Sequence, residues 1–426
     1  MRLIPLLFLI TVITKAENYN FDINDIEKKP YSLNGYLELQ PGFTFLNNNS
    51  TQYKLENYQN EKETLSLDYN INFQLEGRYE KRIIEVYGRP ALAVLKGPYT
   101  ETTTHFDFQE IYALFKPTTV FTQSLGKRVL KWGKGYAWNP VAFVDRPKNP
   151  NDPETSQEGY VIATLDYNKS FNNQFKNIAV TFVLLPAYEN INEYYGRRGY
   201  LNYAGKIYAL LYDTDIDILF LKGKSKADRV GVDFSRNIFS NIEVHGEFAL
   251  IEDYQKIIMD NDGNLTKETS NALSYLLGIK YLSASEMSII LEYYKNALGY
   301  SEDEYQDYLA FVDNSYQTYK LTNNDNGLKK AANLNAAYGK ANPMKDYIYL
   351  KISQKEPFNI LYTNFSIFSL INVNDESFSL APEMLYTRIT NLSLRGKTTF
   401  LIGKNDTEFG GKQSNIKFEL TATYYF

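Results

Sequence analysis

Polar and apolar residues alternate over long stretches of this chain. Leu65, Leu67, Tyr69, Ile71, Phe73 and Leu75 are apolar, while Ser66, Asp68, Asn70, Asn72, Gln74 and Glu76 between them are polar. A period of two predicts a strand with one greasy face and one wet face. The pattern returns at Ile242, Val244, Phe248 and Leu250 against Glu243, His245, Glu247 and Ala249. It returns again at Leu273, Tyr275, Leu277, Ile279 and Tyr281, where only Leu276 spoils the polar set. Ile416, Phe418, Leu420, Ala422, Tyr424 and Phe426 carry it to the last residue. Such segments run about 9 to 13 residues, the length a tilted strand needs to cross a bilayer, whereas strands of soluble sheets average about 5 to 6.

The connections point the same way. About eighteen strands (16–20) are expected between residues 36 and 426, and long and short connections segregate by parity. The long odd-numbered ones include 46–63, 131–158, 188–202, 252–271, 295–344 and 404–413; most even-numbered ones are tight, such as Lys116-Pro117-Thr118 and Asp213-Thr214-Asp215. Barrels in outer membranes have short turns on the periplasmic side and long loops outside. The expected fold class is therefore all-β, a closed antiparallel transmembrane β-barrel with external loops at the long connections. Within 295–344, Glu302 to Leu309 and the Ala-rich stretch Lys329 to Tyr338 read as local helix, a structured external loop.

The ends add an address and a closing edge. Arg2, the apolar run Leu3 to Ile13 and the small residues flanking Lys15 in Thr14-Lys15-Ala16 resemble a cleavable signal peptide over 1–16,. The run is too short to span about 30 Å as a helix. Residues 17–35 are polar and read as a periplasmic lead-in. The final strand, ending on Phe426, resembles the signal that such barrels present to the barrel assembly machinery, and it must pair with the first strand because an open edge in lipid leaves backbone groups unsatisfied.

Composition agrees where it speaks. The 426 residues include 37 Tyr, 26 Phe and 2 Trp, and Tyr suits positions with one apolar and one wet neighbour. A mean hydropathy of -0.40 looks soluble, but a barrel wall turns only alternate residues to lipid. With 45 basic against 50 acidic residues the chain has no charge bias toward nucleic acid,. Zero Cys removes disulfides, thiolate metal sites, Cys nucleophiles and a lipidated Cys together,.

The most distinctive segment is Gly126-Lys127-Arg128-Val129-Leu130-Lys131-Trp132-Gly133-Lys134-Gly135-Tyr136-Ala137-Trp138-Asn139-Pro140, which holds both tryptophans and runs on through Asp145-Arg146-Pro147-Lys148-Asn149-Pro150-Asn151-Asp152-Pro153-Glu154. It falls in the third expected external connection. It resembles the G-[KR]-x-x-x-x-W-G-x-G…N-P segment of several porin-like outer-membrane barrel families, poorly characterised ones among them. The resemblance covers about 30 residues directly,. It implies a porin-like channel whose third loop folds inward and narrows the lumen. Pro140, Pro147, Pro150 and Pro153 stiffen such a loop, and Gly133 and Gly135 permit a sharp turn. Selectivity comes from charges near a constriction, so Lys131, Trp132, Lys134, Trp138, Asp145, Arg146, Lys148, Asp152 and Glu154 are the candidate pore residues. The other reading is a surface loop with Trp132 and Trp138 in an interfacial aromatic girdle.

Inward-facing positions carry Asp68, Glu76, Glu243, His245, Glu247, Arg395, Lys397, Lys417 and Glu419, with Asp233, Arg229, Lys280 and Lys351 beside them. They either impose a field on a passing solute or pair across the lumen and hold its shape. Enzyme chemistry is not expected: His105 and His245 are the only histidines, no Gly-x-Ser-x-Gly elbow or phosphate-cradling loop is present, and neither metal nor cofactor is called for. Asp260-Asn261-Asp262-Gly263-Asn264 begins like a calcium loop, but Leu265 and Asn271 stand where Gly and the bidentate Glu are needed, so it reads as a turn. The expected function is passive diffusion of small hydrophilic solutes or ions. The rivals are a non-conducting barrel whose loops bind a partner or surface polymer, and a facilitator for apolar substrates, which needs an apolar lumen patch.

Overall fold

The computed structural model describes residues 29–155 and 157–426. The expected signal peptide and residues 17–28 of the lead-in lie outside the described residues. Eighteen strands follow one another along the chain. The first nine are β1 (Tyr31–Leu46), β2 (Leu65–Lys81), β3 (Ile84–Lys96), β4 (Thr103–Phe115), β5 (Phe121–Arg128), β6 (Tyr160–Ser170), β7 (Phe175–Ala187), β8 (Tyr200–Leu211) and β9 (Thr214–Lys222). The rest are β10 (Arg229–Phe239), β11 (Ile242–Met259), β12 (Leu265–Leu282), β13 (Met287–Lys295), β14 (Asp346–Lys355), β15 (Thr363–Asn372), β16 (Phe378–Tyr386), β17 (Leu392–Ile402) and β18 (Ser414–Tyr425). Each pairs antiparallel with its chain neighbours, and β1 also pairs with β18, from Tyr36 opposite Tyr425 to Leu46 opposite Ser414. The sheet closes, and no edge is left.

Burial is inverted relative to a soluble protein. On β2, Leu65 and Leu67 are 45% and 61% exposed, whereas Ser66 and Asp68 between them are 7% and 8% exposed. On β18, Phe418, Leu420 and Tyr424 lie open while Thr421 and Thr423 are buried. A closed wall that is apolar outside and polar inside is stable only with hydrocarbon around it. This is a transmembrane barrel.

Two stretches depart from the sequence reading. β1 begins at Tyr31, inside the expected lead-in, because β2 is equally long and supplies partners from Tyr79 opposite Tyr31 to Glu76 opposite Asn34. Residues 252–271 are strand except for Asp260–Asn264: β11 and β12 extend as one hairpin beyond the other strands, with a register shift between Ile251 and Tyr254. The reversal at its tip is the turn read from the sequence, with Asp260 accepting backbone N–H bonds from Asp262 and Asn264.

The inside is not polar throughout. Val183, Leu185 and Ala187 on β7, with Leu219 and Leu221 on β9, face inward and are buried by Val141, Phe143 and Val144 of the connection between β5 and β6. Both faces of β7 are therefore apolar, which weakens its alternation. At the loop end, α1 (Thr51–Glu56), α2 (Glu302–Thr322), α3 (Asn326–Ala332) and α4 (Asn335–Tyr338) form a cap. Tyr305, Tyr308, Leu309 and Val312 make the buried stripe of α2 at helical spacing, and Ser301 with Glu304 forms its capping box,. Tyr338 stacks between Tyr300 and Tyr308 at 3.9 and 4.0 Å. The cap is tied down by Lys54 to Asp313 at 2.8 Å and Lys256 of the hairpin to Glu304 at 2.7 Å.

Glu408, in the connection between β17 and β18, is buried beneath the cap and accepts hydrogen bonds from Tyr347 Oη at 2.6 Å and Asn372 Nδ2 at 2.8 Å. Burial, with Asp375 near, pushes its carboxyl up to about 7 against the pull of Lys412.

Two outcomes follow from these features. Leu420→Arg, in the middle of the outward face of β18, should cost about 2–4 kcal/mol of stability in a bilayer, and Leu420→Phe far less, by urea unfolding in vesicles. Because the folded pKa of Glu408 is raised, its stabilisation is complete below the ordinary carboxylate value and is lost as pH rises through about 7,. Hydrogen exchange around 405–411, corrected for intrinsic rate, should be faster at pH 8 than at pH 6, and Glu408→Gln should flatten that difference.

Candidate functional site

The connection between β5 and β6, residues 129–159, folds into the barrel and is held from several sides. Lys131 takes a left-handed turn with φ 57°. The next residues run past β11 and β13, where two buried glutamates meet them. Glu247 Oε1 accepts the backbone N–H groups of Lys134 at 2.6 Å and Gly135 at 2.7 Å and the side-chain amide of Asn139 at 2.8 Å; Oε2 accepts Val141 N–H at 3.3 Å. Glu292 accepts the N–H groups of Tyr136 and Ala137, and its Oε1 lies 2.9 Å from His245 Nε2. Within the loop, Asp145 accepts three more, from Leu130, Lys131 and Trp132. A carboxylate in such a cradle offers an irregular backbone the partners that a polar interior demands, at roughly 1.5–3 kcal/mol for each bond to a charged group. Burial raises the pKa of Asp145, and its three N–H donors pull against that shift.

The Trp-Gly-x-Gly spacing is explained by this approach. A Cβ on Gly135 would sit 2.1 Å from the Trp138 carbonyl oxygen, and one on Gly133, at φ +98°, would sit 2.8 Å from Glu247 Oε1. Only glycine lets the chain come close enough for both N–H bonds.

The sequence-derived candidates fall into three sets. Trp132, Trp138 and Asp145 are buried inside the barrel, not in an outer girdle: Trp132 joins the apolar cluster over β7 and β9, and Trp138 stacks on Tyr294 at 5.1 Å while donating Nε1–H to Asn342 at 2.9 Å. Lys134, Arg146, Lys148, Asp152 and Glu154 are anchors. Lys134 lies 2.9 Å from Asp217 and 3.7 Å from Asp233. Burial works against that ammonium, but the two aspartates more than offset it and hold its pKa above the usual value. Arg146 pairs with Glu158 at 2.8 Å, and Lys148 donates to the carbonyls of Gly135 and Tyr136, burial holding its pKa down. Asp152 reaches Arg395 at 3.7 Å and Glu154 reaches Lys351 at 2.7 Å on the far wall. Lys131 alone of the nine keeps an exposed side chain with no carboxylate in salt-bridge range among the described residues.

The wall charges behave alike. Glu247, Arg395 and Lys397 bind the loop, Lys397 through the Asn151 carbonyl at 3.0 Å. His245 lies between Glu292 and Glu243, the latter at 3.6 Å. Asp68 accepts from Ser66 at 2.7 Å and from Thr44, and Lys417 pairs with Glu419 at 2.9 Å. Glu76 shares the inward face of β2 with Asp68. Glu292, Asp217 and Asn342 were missed in the sequence. The first two were legible as inward positions, Glu292 between Leu291 and Tyr293 and Asp217 between Ile216 and Ile218; Asn342 belongs to an irregular loop and had no signal. Among the described residues, no cluster of His, Asp and Glu is placed to hold a metal ion.

Among the described residues, two cavities of comparable size lie beside the loop. One, of about 520 Å³, lies toward β1, β2 and β18 and is lined by Gln40, Asp68, Asn70, Asn151, Lys417 and Glu419 among others. The second, of about 590 Å³, runs along the loop from the wall formed by β10 to β13 as far as Arg89 of β3 and Glu110 of β4.

No family model matches the chain, and no curated protein matches it. Among solved structures, OccK5 (OpdH) of Pseudomonas aeruginosa is similar with a TM-score of 0.52 and 11% identity over 92% of this chain and 98% of that one. The fold is porin-like. OccK11 (OpdR) of the same organism gives 0.49 at 9% identity, covering 92% and 96% of the two chains. A mutant of the Rhodopseudomonas blastica porin gives 0.44 at 10%, covering 93% and 100%. Identities this low speak to architecture, so the porin-like chain's own chemistry rests on its own residues.

Removing the glutamate cradle should free the loop. Glu247→Ala leaves four donors unsatisfied and should destabilise the barrel by about 3 kcal/mol or more, read as a lower heat-denaturation midpoint on folded-versus-boiled gels. Gly135→Ala should reproduce most of that loss through steric displacement alone, and Glu247→Gln, which keeps one acceptor, should lose less.

Proposed function

We propose that this protein is an outer-membrane channel through which small hydrophilic solutes or ions diffuse passively, with residues 131–154 setting its narrowest part. The observation that carries the reading is the largely polar inner wall bordering two cavities, about 520 and 590 Å³, beside a loop that is anchored at both walls. A loop fixed by carboxylates and ion pairs keeps its shape while solute passes beside it, and its charges act on whatever passes. Export by a signal peptide cleaved after Ala16, external placement of the long connections, and assembly through the strand ending at Phe426 complete the proposal.

One observation favours a second reading. The loop is gripped by β11, β13, β14 and β17 at once, and a helical cap stands over the same end of the barrel. That is how a closed barrel displaying a binding surface for a partner or surface polymer would be built. The apolar patch a facilitator requires exists on β7 and β9, but the loop's own Val141, Phe143 and Val144 cover it.

Planar-bilayer recording separates the two. The channel reading expects a small, steady conductance from the folded protein, and Lys131→Glu should move the reversal potential toward cation preference. A folded barrel without conductance refutes the channel and leaves the binding surface.

A further inference from the structure

The cavity of about 590 Å³ has an unbalanced charge. Its lining holds Arg89, Lys131, Arg146, Lys148, Lys226 and Arg229 against Glu110, Asp145 and Glu154. The three acids are already engaged: Glu110 pairs with Arg89 at 3.2 Å, Asp145 accepts three backbone N–H groups, and Glu154 pairs with Lys351. Lys226 and Arg229 are different. They stand together where the connection 223–228 enters β10, and no carboxylate lies within 4.0 Å of either among the described residues.

What surrounds them is aromatic. The Lys226 ammonium sits 3.9 Å from the ring centre of Tyr195, and the Arg229 guanidinium sits 6.0 Å from that of Phe143. Tyr195 is held in place by donating its hydroxyl to the Phe143 carbonyl at 3.0 Å. Arg229 Nε is buried with no hydrogen-bond acceptor. Burial and the neighbouring Arg229 hold the Lys226 amine down to about 7. Two adjacent basic groups, turned toward a cavity with no carboxylate beside them in a protein that pairs most of its interior charges, can both be charged only at an electrostatic cost that an anion would remove.

We propose that Lys226 and Arg229 form a binding site for the oxyanion group of a small organic solute, a carboxylate or a phosphate, with its apolar body against Trp132, Trp138 and Tyr294. Both tryptophans and Tyr294 border the same cavity. A guanidinium beside an ammonium gives directional donors to two or more oxygens, and aromatic walls accept a flat or apolar body without competing for the charge. The site depends on the channel reading only for the route by which solute arrives, since binding and conductance are read separately.

The test is calorimetric titration of the full-length folded barrel in detergent with benzoate, inorganic phosphate and, as the uncharged control, benzyl alcohol. Saturable binding of benzoate or phosphate without binding of benzyl alcohol is expected. The double variant Lys226→Gln with Arg229→Gln should weaken that binding about tenfold or more, and Lys226→Arg should restore most of it in the Arg229 background. Benzoate binding more tightly than phosphate identifies a carboxylate on an apolar body, and the reverse order identifies a phosphate group. Unchanged gel mobility and melting of the variants show that they fold. No saturable binding of either anion, or equal binding by wild type and the folded double variant, overturns the proposal, whatever the conductance.

Discussion

A backbone amide in hydrocarbon has no water to turn to, and the rest of this molecule follows from that constraint. Every strand must be paired on both sides, so the last must meet the first, as β1 and β18 do from Tyr36–Tyr425 to Leu46–Ser414,. Closure leaves a wall one residue thick, and each strand then serves two solvents through alternate side chains. The inversion of burial along β2 and β18 is the direct imprint of that demand.

The same constraint dictates how the interior is filled. A segment entering a largely polar lumen brings backbone donors that the wall has to meet, and hydrophobic packing alone cannot hold it. Here the wall answers mainly with carboxylates. Glu247 and Glu292 take up the consecutive N–H groups from Lys134 to Ala137, Asp217 and Asp233 receive the Lys134 side chain, and Arg395, Lys397 and Lys351 receive the far end of the loop. Where the wall is apolar, on β7 and β9, the loop supplies Val141 and Phe143 to match. The result is a braced loop with two cavities beside it. The unpaired basic residues at one of those spaces stand out because pairing is otherwise so thorough.

The architecture was legible because a membrane barrel writes itself in period two. About eighteen strands were expected, and eighteen are present among the described residues. The larger differences lie at 31–35, where a short stretch beside a polar segment continues β1, and at 252–271, where strands continue beyond the region in which one face must be greasy. At 252–271 the alternation fades although the hydrogen-bonded ladder continues, whereas at 31–35 Tyr31 and Leu33 still alternate with Ser32 and Asn34 and extend the pattern of β1. The inward loop was legible in its glycines and tryptophans, yet the roles within it were not. Lys134, Asp152 and Glu154 look like solvent-facing charges in a linear sequence, and only the fold brings them to Asp217, Arg395 and Lys351, tens to hundreds of residues away. Lys226 gave no signal at all, since what marks it is the absence of an acid nearby in space.

The central claim is that alternate residues of one strand face two different media. Because the chain has no cysteine, single spin labels can be placed at positions 416 to 423 of β18 in lipid vesicles, and their collisions with oxygen and with a water-soluble nickel chelate compared. The account predicts opposite alternation, with oxygen contact highest at 416, 418, 420 and 422 and nickel contact highest at 417, 419, 421 and 423. Profiles that rise and fall together along the strand would contradict it.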